Sequence, residues 1–97
     1  MSSKEFTTAY KNEKHSEPRK VLISEMSKFY PSESLKLIRE NLDTDDSYIV
    51  QEEMIKNLGN IGDKSDILKL KSYEKVWSPR RILKNATVES LAKIRDK

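Results

Sequence analysis

The stretch Asp46-Ser47-Tyr48-Ile49-Val50-Gln51-Glu52-Glu53-Met54-Ile55-Lys56-Asn57-Leu58-Gly59-Asn60-Ile61-Gly62-Asp63 decides the architecture. Its apolar residues Val50, Met54, Leu58 and Ile61 recur at spacings of three and four, the period of a helix with a buried stripe. Asp46 stands before the run as an N-cap candidate. Gly62 ends it as the expected left-handed residue, and Asp63 is placed to cap the next helix.

Working outward, the same pattern returns thirty-three residues later, where Val50 falls on Leu83, Ile55 on Val88, Leu58 on Leu91, Gly59 on Ala92, Ile61 on Ile94 and Asp63 on Asp96. Thirty-two residues earlier, Ile23, Met26 and Phe29 take the places of Ile55, Leu58 and Ile61. The following helices agree, since Leu35 and Ile38 match Ile67 and Leu70. A period near 32 with two helices per unit predicts stacked helical hairpins, each covering a face its neighbour leaves open.

The run from Asp46 to Glu52 and the Leu58-Gly59-Asn60-Ile61-Gly62-Asp63 signature resemble the short HEAT-like repeat, in the variant named after phycobilisome lyases. The resemblance covers about residues 17–97, and the outer units depart from it at Tyr30-Pro31 and Arg95. It implies an all-α, short right-handed α-solenoid of antiparallel helical hairpins, with Gly59 allowing paired helices to approach closely. Such repeats serve many partners, so the resemblance says little of function.

Helical periods run throughout. Val21, Leu22, Met26 and Phe29 mark one run, Leu35, Ile38 and Leu42 the next, and Ile67, Leu70 and Val76 another. Six helices are predicted, over 3–14, 17–30, 32–42, 46–61, 64–76 and 79–95, with Ser32 and Ser78 as further N-caps and Pro79 as a first helical residue. They form one domain over 1–97: a capping helix in 1–16, hairpins over 17–45 and 46–78, and a final helix over 79–97. That last helix has no partner after it. Apolar surface there would invite self-association.

The 97 residues are 36% charged and include no cysteine, which excludes a disulfide framework, a thiolate metal site and a cysteine nucleophile. No run reaches the roughly 18 apolar residues of a membrane span, and Met1-Ser2-Ser3-Lys4-Glu5 lacks the apolar core of a signal peptide. The expectation is a cytoplasmic protein with no membrane contact. Catalysis finds little material. His15 is the single histidine, Glu52 and Glu53 are adjacent and point apart on a helix, and Asp43, Asp45 and Asp46 lack the spacing of a cation loop. Gly59 and Gly62 do not make a phosphate loop. The reading is therefore no enzyme, no cofactor and no metal.

Charge is unevenly spread: residues 32–63 carry −5 and residues 64–84 carry +5. The basic block holds Lys64, Lys69, Lys71, Lys75, Arg80, Arg81 and Lys84, interleaved with Tyr73 and Trp77. Arg80 and Arg81 sit where a helix begins, and the helix dipole disfavours cations there. That conflict suggests an anionic partner. By the geometry of HEAT-like stacks, second helices of the hairpins line one face, so Lys36, Arg39 and Glu40 should neighbour Lys69, Ser72, Tyr73 and Lys75. The expected partner-binding set is Lys36, Arg39, Lys69, Tyr73, Lys75, Trp77, Arg80, Arg81 and Lys84. The expected function is a protein–protein interaction module, either a small adaptor scaffold or an inhibitor of the immunity type, facing an acidic protein surface. The alternative is a nucleic-acid-binding repeat using the block 64–84.

Overall fold

Six α-helices carry the chain in a computed structural model that describes residues Met1–Lys97: α1 (Ser3–Asn12), α2 (Ser16–Phe29), α3 (Pro31–Asn41), α4 (Tyr48–Ile61), α5 (Ile67–Ser72) and α6 (Ile82–Arg95). Short 3₁₀ turns over Lys64–Asp66 and Pro79–Arg81 precede α5 and α6. There is no strand. The expectation of an all-α chain of about six helices holds.

The central helix is α4, as its apolar pattern requires. Val50, Met54, Ile55 and Leu58 are fully buried, and α4 packs against α6 on one side and α2 on the other. Polar contacts give the directions. Ser90 Oγ donates to the Ile55 carbonyl at 2.7 Å, Lys93 Nζ donates to Asn60 Oδ1 at 2.8 Å, and Lys97 Nζ reaches the Gly62 carbonyl at 2.7 Å. Residue numbers rise together along both helices, so α4 and α6 run parallel. The start of α2 meets the start of α4 through Arg19 and Asp46, 3.0 Å apart. Helices α2, α4 and α6 thus lie side by side, with α4 between the other two. Between α3 and α5 the contact is made by side chains alone, Arg39 to Asp66 and Asp43 to Lys69 and Tyr73, while the two helices themselves barely pack. Molecular extents of 32 × 29 × 17 Å accommodate two helix layers at the usual 8–10 Å separation.

Gly59 explains the close approach of α4 and α6. A Cβ there would lie 2.5 Å from Ser90 Oγ and 2.7 Å from Ser90 Cα. Its sequence counterpart Ala92 is exposed, and so is Val88, the counterpart of buried Ile55. Gly59 and the Ile55 carbonyl meet Ser90 of α6, whereas the side of α6 that carries Val88 and Ala92 is open to solvent. The outward side of α6 is otherwise polar, with Lys84, Asn85, Glu89 and Lys93 exposed, so Val88 is isolated there.

Several local expectations are corrected. Gly62 is not left-handed, with φ −81° and ψ −170°; it is glycine because a Cβ would strike the Leu58 carbonyl oxygen and the Asp66 carboxylate. Ser47, not Asp46, caps α4 by accepting from the Val50 N–H. Ser32 lies inside the first turn of α3, which starts one residue earlier at Pro31 with Tyr30 in the N-cap position. Asp63 does cap, accepting from the Ser65 N–H at 2.8 Å while Asp66 reaches back to the Asp63 N–H. The helix expected over 64–76 is only six residues of α-helix. After Ser72 the chain tightens into turns in which Tyr73 N–H meets the Leu70 carbonyl and Glu74 N–H meets that of Lys71. Phe29 and Val21 are exposed, because the buried stripe of α2 runs through Arg19, Ile23, Met26 and Ser27 instead.

Candidate partner-binding groove

The segment between α5 and α6 builds the most distinctive surface. Ser78 is extended and buried, and Pro79 follows it as the expected first helical residue, but the helix does not begin there. Arg80 (φ 53°, ψ 20°) and Arg81 (φ 57°, ψ 33°) are both left-handed. Side chains resist that region by about 1–2 kcal/mol per residue, and neither position is glycine or asparagine. The detour is anchored by Ser78. Its carbonyl accepts from the Arg81 N–H at 3.1 Å, and its Oγ accepts from the Leu83 N–H at 3.1 Å. Ser78 is therefore the cap of α6 at a distance of five residues.

Around this detour, Glu74, Lys75, Val76, Trp77, Ser78, Arg80, Arg81 and Lys84 line a groove of ≈ 590 Å³. Four cations face the single carboxylate of Glu74. None of the four takes part in any of the protein's ion pairs. Trp77 is 73% exposed and touches Tyr48 edge-on, with ring centroids 5.9 Å apart at 75°. Trp77 stands seven residues after buried Leu70, but α5 ends at Ser72 and takes it off that buried stripe.

The nine expected binding residues divide. Lys75, Trp77, Arg80, Arg81 and Lys84 come together in the groove. Tyr73 does not: it is 5% exposed and donates to Asp43 Oδ1 at 2.5 Å, and its hydroxyl is held well above its ordinary pKa by burial and that carboxylate. Lys69 is ion-paired to the same Asp43. Arg39 donates Nε and Nη2 to the two oxygens of buried Asp66, at 2.9 and 2.8 Å. Lys36 faces α1 across a different groove, with Lys4, Thr7 and Lys11. These four serve internal contacts or another face.

The sequence reading passed over the polar joint at the start of α2. Arg19 is 8% exposed, donates to both oxygens of Asp45 at 3.0 and 2.9 Å, reaches Asp46 at 3.0 Å and donates to the Glu13 carbonyl at 3.1 Å. Tyr10 adds a hydrogen bond to Asp45 Oδ2 at 2.6 Å; burial, then this bond, raises its pKa. The hydrogen bonds that Arg19 donates to Asp45 also raise the pKa of Arg19. A signal existed, since Arg19 precedes Ile23 by four residues and Met26 by seven, on the buried stripe. The acidic turn is thus split among partners: Asp43 serves α5, and Asp45 with Asp46 serves Arg19. No helix of the protein is long and apolar enough to cross a membrane.

Comparison of the chain with family models, with curated proteins and with solved structures returns no match.

Proposed function

We propose that the protein is a non-enzymatic, cytoplasmic interaction module, a small adaptor or inhibitor, that binds an acidic surface of a partner protein through the groove between α5 and α6. One observation carries the reading: an exposed tryptophan stands among four cations that no internal carboxylate pairs. Trp and Arg are the residues that most often dominate binding energy at interfaces, and unpaired cations steer an acidic partner. Arg39 and Lys69 hold the scaffold, and the groove contributes the contact. The repeat-like stack, in the HEAT-like sense, supplies rigidity.

Matched capture from the native source tests this. Wild-type protein and the Arg80→Glu, Arg81→Glu double variant are immobilised side by side, and retained macromolecules are identified by mass spectrometry. The expected result is a protein retained by the wild type and lost with the double variant, whose circular dichroism is unchanged. Retention that is equal on both moves the surface elsewhere. Recovery of nucleic acid, with affinity falling steeply in salt, favours the nucleic-acid alternative.

A further inference from the structure

The groove allows its occupant to be named by chemistry. We infer that it takes a short acidic peptide segment, with carboxylates flanking one apolar side chain, and that Arg80 and Arg81 are kept left-handed to receive it. The inference rests on the groove being the partner surface.

Charge complementarity is the first argument. Lys75, Arg80, Arg81 and Lys84 surround a groove that holds one carboxylate, Glu74. Adjacent guanidinium groups are planar forks suited to bidentate carboxylate contacts. Confinement is the second. The remaining expected cations are diverted, Lys69 to Asp43 and Arg39 to Asp66, while Lys36 faces α1. Of the expected binding cations, the four left beside one another are therefore those around Trp77, namely Lys75, Arg80, Arg81 and Lys84, a cluster the size of a short segment. Trp77 adds the apolar element. Its only aromatic neighbour meets it edge-on, so there is no parallel platform for successive bases, yet most of the ring is open to one aliphatic side chain.

Strain is the third argument. Two consecutive left-handed non-glycine residues oppose folding, and both side chains are exposed and unpaired. Within the chain, the two hydrogen bonds to Ser78 hold that conformation and leave both guanidinium groups without a partner. A ligand that meets both would add to that support, and such outliers concentrate at ligand sites.

Trp77 is the protein's only tryptophan, so its fluorescence reports the groove directly. Four probes are titrated: a blocked peptide with two glutamates on each side of a leucine, the same peptide with serine for leucine, its lysine counterpart, and oligothymidylate. The acidic leucine peptide is expected to give a saturable blue shift, the serine version to bind at least ~5-fold more weakly, and the lysine peptide to give no response. The Arg80→Gly, Arg81→Gly double variant relieves the left-handed strain and removes both forks. It is expected to melt several degrees higher, by ~4 °C or more, while binding the acidic peptide at least ~10-fold more weakly. Arg80→Glu with Arg81→Glu should abolish the response. The inference is overturned if oligothymidylate binds more tightly than the peptide at equal salt, if the peptide leaves Trp77 emission unchanged, or if the glycine variant binds as well as the wild type. If the peptide fails while protein capture still depends on Arg80 and Arg81, the partner reading stands and only the acidic-segment inference falls.

Discussion

Gly59 and Thr87 show opposite ways in which a single position sets the quality of the packing around α6. At Gly59 there is no room: Ser90 Cα would stand 2.7 Å from an added methyl, and backbone cannot rotate away as a side chain can. Gly59→Ala is expected to cost about 1–3 kcal/mol, the range for overpacking, despite the better helix propensity of alanine. Urea midpoints measure it, and an unchanged midpoint would mean the helices do not meet here. Thr87 is fully buried and its Oγ1 has no hydrogen-bond partner. Thr87→Val keeps the shape and removes the orphaned hydroxyl, so it should stabilise the protein by ~1 kcal/mol. A loss of stability would show that the hydroxyl is satisfied in solution.

Between elements, the apolar core is supplemented by ion pairs placed where one helix starts against another's turn. The joint of Arg19, Asp45 and Tyr10 ties α1 and α2 to the turn before α4, with Arg19 8% exposed and the Asp45 side chain 2% exposed. Removing one member of such a buried pair leaves the other charge stranded, at a cost of about 3–5 kcal/mol. Arg19→Met is expected to fall in that range. Adding Asp45→Asn should recover part of the loss, which a double-mutant cycle reads as coupling. Additive losses would mean that the two do not interact in solution. The pair of Arg39 and Asp66 stands at the start of α5 with Arg39 40% exposed, so its contribution is smaller.

At the scale of the whole molecule, Asp43, Tyr10 and Tyr73 make stability depend on pH. The hydrogen bonds from Lys69, then Tyr73, hold Asp43 below its usual pKa, so the folded state favours the ionised form. Its contribution is present above the unfolded value near 3.8 and is lost as pH falls through the lower folded value. Tyr10 and Tyr73 are shifted the other way, mainly by burial. Their contribution is present below the ordinary value of 10.0 and is lost as pH rises through the higher folded values. Stability should therefore fall below about pH 4 and again above about pH 10. Urea titrations across that range measure both limbs. Asp43→Asn should flatten the acid limb and Tyr10→Phe the alkaline one; limbs unchanged in both variants would locate the titrating groups elsewhere.

Periodicity by itself determined that the chain is helical and where the six helices lie to within a few residues. Those properties follow from local spacing, caps and apolar stripes, which the order of residues carries directly. It also placed Lys75, Trp77, Arg80, Arg81 and Lys84 in one basic block. Only the tertiary structure decided which charges remain free. Asp43 captures Lys69 and Tyr73 from thirty or fewer residues away in sequence, and Asp66 captures Arg39 in the same manner. Ion pairing depends on distance across packed helices, which composition and spacing do not encode. The same holds for Arg80 and Arg81: sequence showed a conflict with the helix dipole, while the left-handed detour arises because Ser78 caps α6 from five residues before Leu83. What the chain leaves unpaired, and so offers to a partner, is what remains after its own helices have taken their share.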